Sequence, residues 1–166
     1  DKRKITGPFG RFFVKKSALK PMIFFAGGSG LSCPKSMILD ELENGCTLPI
    51  TLFHGARNEE ELYYAQLFRD LDSKYENFTY VPVLSDNKNP QWSGEVGFTT
   101  DVAKKMFDNQ FSGKKAYLCG PPMMSDACIT TLMQGRLFEK DIHTEKFFSK
   151  ADLYKDKIKS PLFKSI

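Results

Sequence analysis

The chain has 166 residues, with 24 Lys plus Arg against 20 Asp plus Glu and a net charge of +4. At about one domain per 100–200 residues this is a single domain, large enough to bury a core without disulfides or a structural metal. So small a surplus, with no basic run interleaved with aromatics, gives no support to nucleic-acid or membrane-surface binding.

The first six residues start without a methionine, as in a piece cut from a longer protein. Gly7-Pro8-Phe9-Gly10 is a turn signal, followed by the short apolar run Phe12-Phe13-Val14. From Pro21 the pattern becomes one of alternating strands and helices. Met22–Ala26 reads as a buried strand bounded by glycines. A helix is expected from about Pro34 to Glu43, stopping at Asn44-Gly45, and a second strand over Ile50–His54. Asn58 is placed to cap a helix from Glu59 to about Ser73. The third strand is Phe78–Leu84, followed by a polar loop over 85–93 and a helix over about Thr100–Phe107. The fourth strand is Ala116–Cys119, Pro121-Pro122 opens a helix to about Gln134, and a last strand spans Ile142–Lys146. Five strands alternating with four helices predict an α/β fold: a parallel sheet with helices on both faces and right-handed crossovers. The tail from Lys150 carries five lysines and two aspartates and is expected to be mobile or to drape over the surface.

Met22–Ala26, the longest apolar stretch near the front, is far short of the roughly 20 residues of a membrane span. With no secretory leader visible, a cytoplasmic location is expected. The four cysteines form neither a CxxC pair nor a plant-type iron–sulfur loop, and there are only two histidines. Free thiols and no metal centre are therefore expected.

In such sheets ligands bind beyond the carboxyl ends of the strands, where the strand order reverses. After the first strand comes Gly27-Gly28-Ser29-Gly30-Leu31-Ser32-Cys33-Pro34. Its glycines allow backbone N–H groups to approach a phosphate, and the helix near Pro34 offers its positive end. A Walker loop ending at Lys35-Ser36 fails because Ser29 and Pro34 stand where glycines are needed. The dinucleotide fingerprint starting at Gly28 fails at Cys33. After the second strand, Glu59, Glu60 and Glu61 could accept hydrogen bonds from a ribose and repel a 2′-phosphate, whereas Arg57 could pair with one. The same acids also suit the first turn of a capped helix, and His54 reads as a satisfied strand-end residue. After the fourth strand, Cys119 places a thiol in the crevice, Gly120 leaves room for a flat ring, and Pro121 fixes a rigid turn. Core filling is the competing reading of Cys119 and the expected one for Cys128. After the last strand, Glu145 could exchange a proton near that ring and Phe147 could stack on a planar cofactor.

Gly-Pro-Phe-Gly, Gly-Gly-Ser-Gly-Leu-Ser-Cys-Pro, Gly-Ala-Arg, Cys-Gly-Pro-Pro-Met-Met and Glu-Lys-Phe, in this order, resemble the ferredoxin–NADP reductase superfamily. Within it the similarity is to reductase components of bacterial multicomponent phenol hydroxylases and related diiron monooxygenases, over residues 7–166. The resemblance implies an NADH-dependent electron-transfer flavoprotein of three domains. A ferredoxin domain with a 2Fe-2S cluster and a β-barrel holding FAD would accompany the NADH-binding domain, and a hydroxylase component would take the electrons. It also implies the strand order 3-2-1-4-5. Residues 1–20 would then be the last edge of a missing FAD barrel and its linker, 21–149 the NAD-binding domain and 150–166 a tail. Gly27, Gly28, Ser29 and Gly30 would face the pyrophosphate, and Pro34 would set the helix start. One of Glu59–Glu61 would select the ribose. Cys119 and Gly120 would flank the nicotinamide, Phe147 would cover the flavin, and Glu145 would sit beside it. The competing reading is a dinucleotide-binding module that regulates a partner without turnover.

Overall fold

The structure, a computed structural model, describes residues 12–14 and 19–146. Gly7 to Gly10, Phe147 and the tail from Lys150 lie outside the described residues, as does the side chain of Ser29.

The first strand, β1 (Met22–Gly27), is buried along its whole length. Its side chains alternate between two apolar layers, as the period of two of a strand requires. Met22, Phe24 and Ala26 join one layer with Met37, Ile38 and Leu42 of α1 (Ser32–Glu43) and Phe68 and Leu71 of α2 (Ala65–Lys74). Ile23 and Phe25 join the other, with Val102 of α3 (Thr99–Met106) and Cys128, Ile129 and Leu132 of α4 (Pro122–Gln134). Helices therefore cover both faces, and Cys128 is core, as expected. Aromatic rings run across the strands within each layer: Phe24 stacks on Tyr117 at 5.0 Å and Phe25 on Phe53 at 5.1 Å.

The remaining strands are β2 (Ile50–Ala56), β3 (Phe78–Leu84), β4 (Glu95–Val96), β5 (Lys115–Gly120) and β6 (Ile142–Lys146). All pair in parallel, in the order β4-β3-β2-β1-β5-β6. Without β4 this is the expected order 3-2-1-4-5. The sixth strand corrects the expected count of five. It has two residues, paired with Val83 and Leu84 at the sheet edge, too few to carry a readable alternation.

β1, β2 and β5 run one or two residues beyond their expected ends, and three helices also depart from expectation. α1 begins two residues before Pro34, which becomes its third residue, where a missing N–H needs no partner. The single helix expected from Glu59 to Ser73 is split. Asn58 caps a 3₁₀ turn, Glu59–Glu61, its Oδ1 accepting from the Glu61 N–H at 3.3 Å. Tyr64 then adopts a left-handed backbone (φ 58°), which resets the chain direction before α2 begins. Finally, α3 begins at Thr99 and ends at Met106, one residue ahead at each end.

His54 ends the buried part of β2 with no exposed surface; its Nδ1 is 2.9 Å from the Tyr80 hydroxyl. The expectation of a satisfied histidine is met at Nδ1 alone, because the buried Nε2 has no hydrogen-bond partner among the described residues. Burial lowers its pKa from 6.5 to about 4, so the ring stays neutral in the fold. An unfolded chain takes up this proton at higher pH than the folded one. The stability contributed by keeping the ring neutral is thus present above pH 6.5 and lost as pH falls toward 4. The loss should approach about 3 kcal/mol at the acid end. Urea unfolding across this window, with the His54 titration followed by NMR, checks both the size and the assignment.

Candidate functional site

The chain order moves outward from β1 to β2, β3 and β4 on one side, then returns to β5 and β6 on the other. The reversal lies between the carboxyl ends of β1 and β5, where open α/β sheets form their ligand crevice. Ala26 and Cys119 are register partners there, and across the next ladder Cys119 faces Glu145 and Gly120 faces Lys146.

The turn after β1 is held directly against the backbone of β5. Gly27 ends the strand, and Gly28 opens a 3₁₀ turn (Gly28–Leu31) with φ +56° and open space around it. Gly30 is buried so tightly that a Cβ would collide with the Cys119 carbonyl and stand 2.9 Å from the Gly120 nitrogen. Leu31, the residue preceding α1, contributes no side-chain cap to that helix. A second close packing covers the neighbouring glycines: the Met124 side chain lies where a Cβ on Gly27 would meet its sulfur at 2.9 Å. A Cβ on Gly120 would meet its methyl at 2.6 Å.

From this junction a cleft of about 580 Å³ runs across the ends of β1, β2 and β3. Of the residues singled out in the sequence, Gly27, Gly28, Arg57, Glu61 and Pro121 line it. Sequence reasoning missed Tyr63, Phe98, Thr99 and Met124, which line it too. Phe98 is 68% exposed although it sits among cleft residues, and the only local hint to it is the preceding Gly97 with φ +119°. Thr99 packs its methyl against Gly55.

The three glutamates separate. Glu61 holds Arg57, with Nη2 2.6 Å and Nε 3.1 Å from its Oε1. This hydrogen-bonded pairing raises the Arg57 pKa and lowers that of Glu61. Glu59 and Glu60 line a neighbouring polar cleft instead, where Glu59 accepts from the Asn89 amide at 2.6 Å. Arg57 and Glu61 thus leave their end of the main cleft with no net charge.

At the β1–β5 junction Cys119 is completely buried. Burial first, then the adjoining Cys33 thiol and the Glu145 carboxylate, push its ionisation well above the ordinary thiol range. Cys119 is therefore a neutral S–H at neutral pH, unsuited to acting as a thiolate nucleophile, and neither it nor Gly120 is among the residues that line the cleft. Glu145 is half-buried on the adjoining strand. Pro34 is buried beneath the turn.

The glycines of the turn should respond differently to alanine. Gly28→Ala meets only left-handed backbone strain, on the order of 1 kcal/mol. Gly30→Ala must push β5 and the turn apart, costing roughly 1–3 kcal/mol and widening the junction. Denaturant midpoints for the two variants, with amide shifts at Cys119 and Gly120, separate these outcomes.

A family model described as the oxidoreductase NAD-binding domain matches residues 24–129. The chain is 56% identical to the reductase component of phenol 2-monooxygenase from Pseudomonas sp. (strain CF600), covering 100% of this chain and 47% of that protein. It is 53% identical to the phenol hydroxylase P5 protein of Acinetobacter pittii (strain PHEA-2), with the same coverage of both chains. The chain thus spans about half the length of these curated relatives. Among solved structures, an Amycolatopsis cytochrome P450 reductase superposes with a TM-score of 0.77 at 30% identity, over 85% of this chain and 42% of that one. No helix among the described residues is long and apolar enough to cross a membrane. A parallel sheet with its crevice at the β1–β5 reversal, together with a family match across most of that sheet, leads to one conclusion: the chain belongs to the oxidoreductase NAD-binding domain family.

Proposed function

We propose that this chain is the NADH-binding domain of an electron-transfer flavoprotein that serves an aromatic-ring monooxygenase. The observation that carries the reading is the glycine turn after β1, whose Gly28 stands in open space at the head of a cleft of about 580 Å³. The two relatives named above support the choice of a phenol-type hydroxylase as the partner.

Gly27, Gly28, Ser29 and Gly30 would present their backbone to the pyrophosphate, and at Gly28 no Cβ would hold it away. Glu61 is the acid of the three that would meet the ribose, because Glu59 and Glu60 face the neighbouring cleft. Its grip on Arg57 would keep the guanidinium from a 2′-phosphate and so favour NADH over NADPH. Cys119 and Gly120 would form the wall beside the nicotinamide. There the neutral thiol would present no charge to desolvate, and the Met124 side chain over Gly120 would have to shift for a flat ring to lie close. Glu145 would border the same wall from β6, with Phe147 following it in the chain. Bound NADH would supply the hydride and FAD would accept it, with a 2Fe-2S cluster passing electrons on; both groups would be held by domains outside this chain. The work of these residues is placement, which by itself can lower a barrier substantially.

Two experiments test the reading. In a reductase that contains this chain together with its flavin domain, Cys119→Ala should slow hydride transfer roughly ten- to a hundredfold through misplacement of the ring. Binding of ADP-ribose should stay unchanged. A hydride-transfer rate equal to wild type in stopped-flow absorbance would remove Cys119 from the site. Glu61→Gln should release Arg57 and reduce the preference for NADH over NADPH by roughly tenfold, measured as a ratio of dissociation constants. An unchanged ratio would remove the Arg57–Glu61 pair from nucleotide selection.

A further inference from the structure

Tyr63 and Tyr64 stand between the 3₁₀ turn Glu59–Glu61 and α2, and the backbone that carries them is bent twice. At Leu62, buried with φ −81° and ψ 74°, the chain makes an inverse γ-turn: the Tyr63 N–H donates to the Glu61 carbonyl at 3.0 Å. At Tyr64 it passes into the left-handed region, φ 58° and ψ 21°. The Tyr64 carbonyl then accepts from the Phe68 N–H at 3.1 Å, and α2 begins. A bulky residue seldom adopts that backbone, and where one does, its surroundings hold it there. Burial of the ring is not what holds it, since Tyr64 is 56% exposed. Its contact is a cation: Lys35 Nζ, from the first turn of α1, lies 4.1 Å from the centre of the Tyr64 ring. This pairing joins the start of α1, directly after the glycine turn, to the start of α2. Tyr63, the residue between the two bends, lines the main cleft with Arg57 and Glu61.

We propose that Lys35 and Tyr64 are positioning residues that brace the left-handed turn and so hold the Tyr63 ring against the adenosine half of a bound nucleotide. The nucleotide contact rests on the NADH reading above, whereas the brace does not. Glu61 is the acid that would meet the ribose, and Tyr63 hangs from its carbonyl across the γ-turn, which brings the ring beside the sugar and the base. A purine is flat with apolar faces, and an aromatic side chain packs on it with few rotatable bonds to immobilise. The γ-turn and the left-handed residue together fix the direction in which Tyr63 leaves the backbone. Once the Tyr64 ring is freed from Lys35, that residue relaxes toward ordinary backbone and carries Tyr63 off the cleft. Lys35 thus acts on the nucleotide through Tyr63 and not as a charge on the pyrophosphate.

The test is the affinity of the 166-residue chain for ADP-ribose, read from amide shifts in an NMR titration, with urea midpoints to show that each variant folds. Tyr63→Ala should weaken binding roughly tenfold, and Tyr63→Phe should recover most of the loss. Lys35→Gln should weaken binding roughly threefold, and Lys35→Arg, which keeps a cation over the ring, should recover it. Tyr64→Gly is at ease in the left-handed backbone, so a loss there as large as that of Lys35→Gln comes from the missing ring. In the Tyr63→Ala background Lys35→Gln should cost nothing more. A Lys35 effect that persists undiminished in that background makes the lysine a direct phosphate contact and overturns the brace. Tyr63→Ala binding as tightly as wild type, or Tyr63→Phe binding as weakly as Tyr63→Ala, overturns the ring as the contact. The brace also has a readout without ligand: the Lys35 ε-methylene protons should be shifted upfield by the Tyr64 ring and return in Tyr64→Gly. Unshifted protons in the wild type overturn the pairing. A chain that shows the shift but binds no ADP-ribose bears out the brace and refutes the nucleotide reading.

Discussion

The contact on which the rest of the structure depends is that of two backbones, the turn after β1 and the end of β5, meeting with no side chain between them. Gly30 makes it possible, because any Cβ there would occupy the space of the Cys119 carbonyl. Held this close, the two central strands end at one place, and α1 leaves the junction directly above it. Met124 fills the adjoining space over Gly27 and Gly120. A flexible thioether suits that position, since it can follow small shifts of the glycines without a fixed shape of its own.

The layers beneath supply the rigidity this contact needs. β1 is buried on both faces by helices, and its phenylalanines stack on rings of the strands at either side. A central strand packed to this density resists displacement. The strand ends lie beyond both layers, and there the chain is free to use residues that a core would reject. The result is a cleft whose chemistry is mostly neutral. Arg57 and Glu61 cancel one another, and glycine backbone forms the head of the cleft. Recognition in such a place comes from shape and backbone N–H groups, with charge confined to one rim.

Much of this architecture was legible in the order of residues. The apolar run of β1 between lysine and glycines, the glycine turn, and the proline pair before α4 each carry a local physical signal that needs no partner to be read. The order of the five main strands came with the family resemblance. What was not legible depended on partners distant in the chain. β4 exists only because Val83 and Leu84 offer an unpaired edge. The break at Tyr64 is a backbone choice in a segment whose composition suits one continuous helix. Phe98, Tyr63 and Met124 look like ordinary core residues in sequence and become cleft residues only when β2, β3 and α4 are in place.

The sequence by itself determined the alternation of strands and helices, the crevice at the strand ends and the set of residue types gathered there, because burial pattern, turn chemistry and helix starts act over a few residues. Only the tertiary structure decided which of three adjacent glutamates faces the main cleft, and that Arg57 is held by that one. Each of these depends on the direction a side chain takes from its element and on what the neighbouring element places opposite. Those directions are set by packing between segments distant in the chain, which no local pattern encodes.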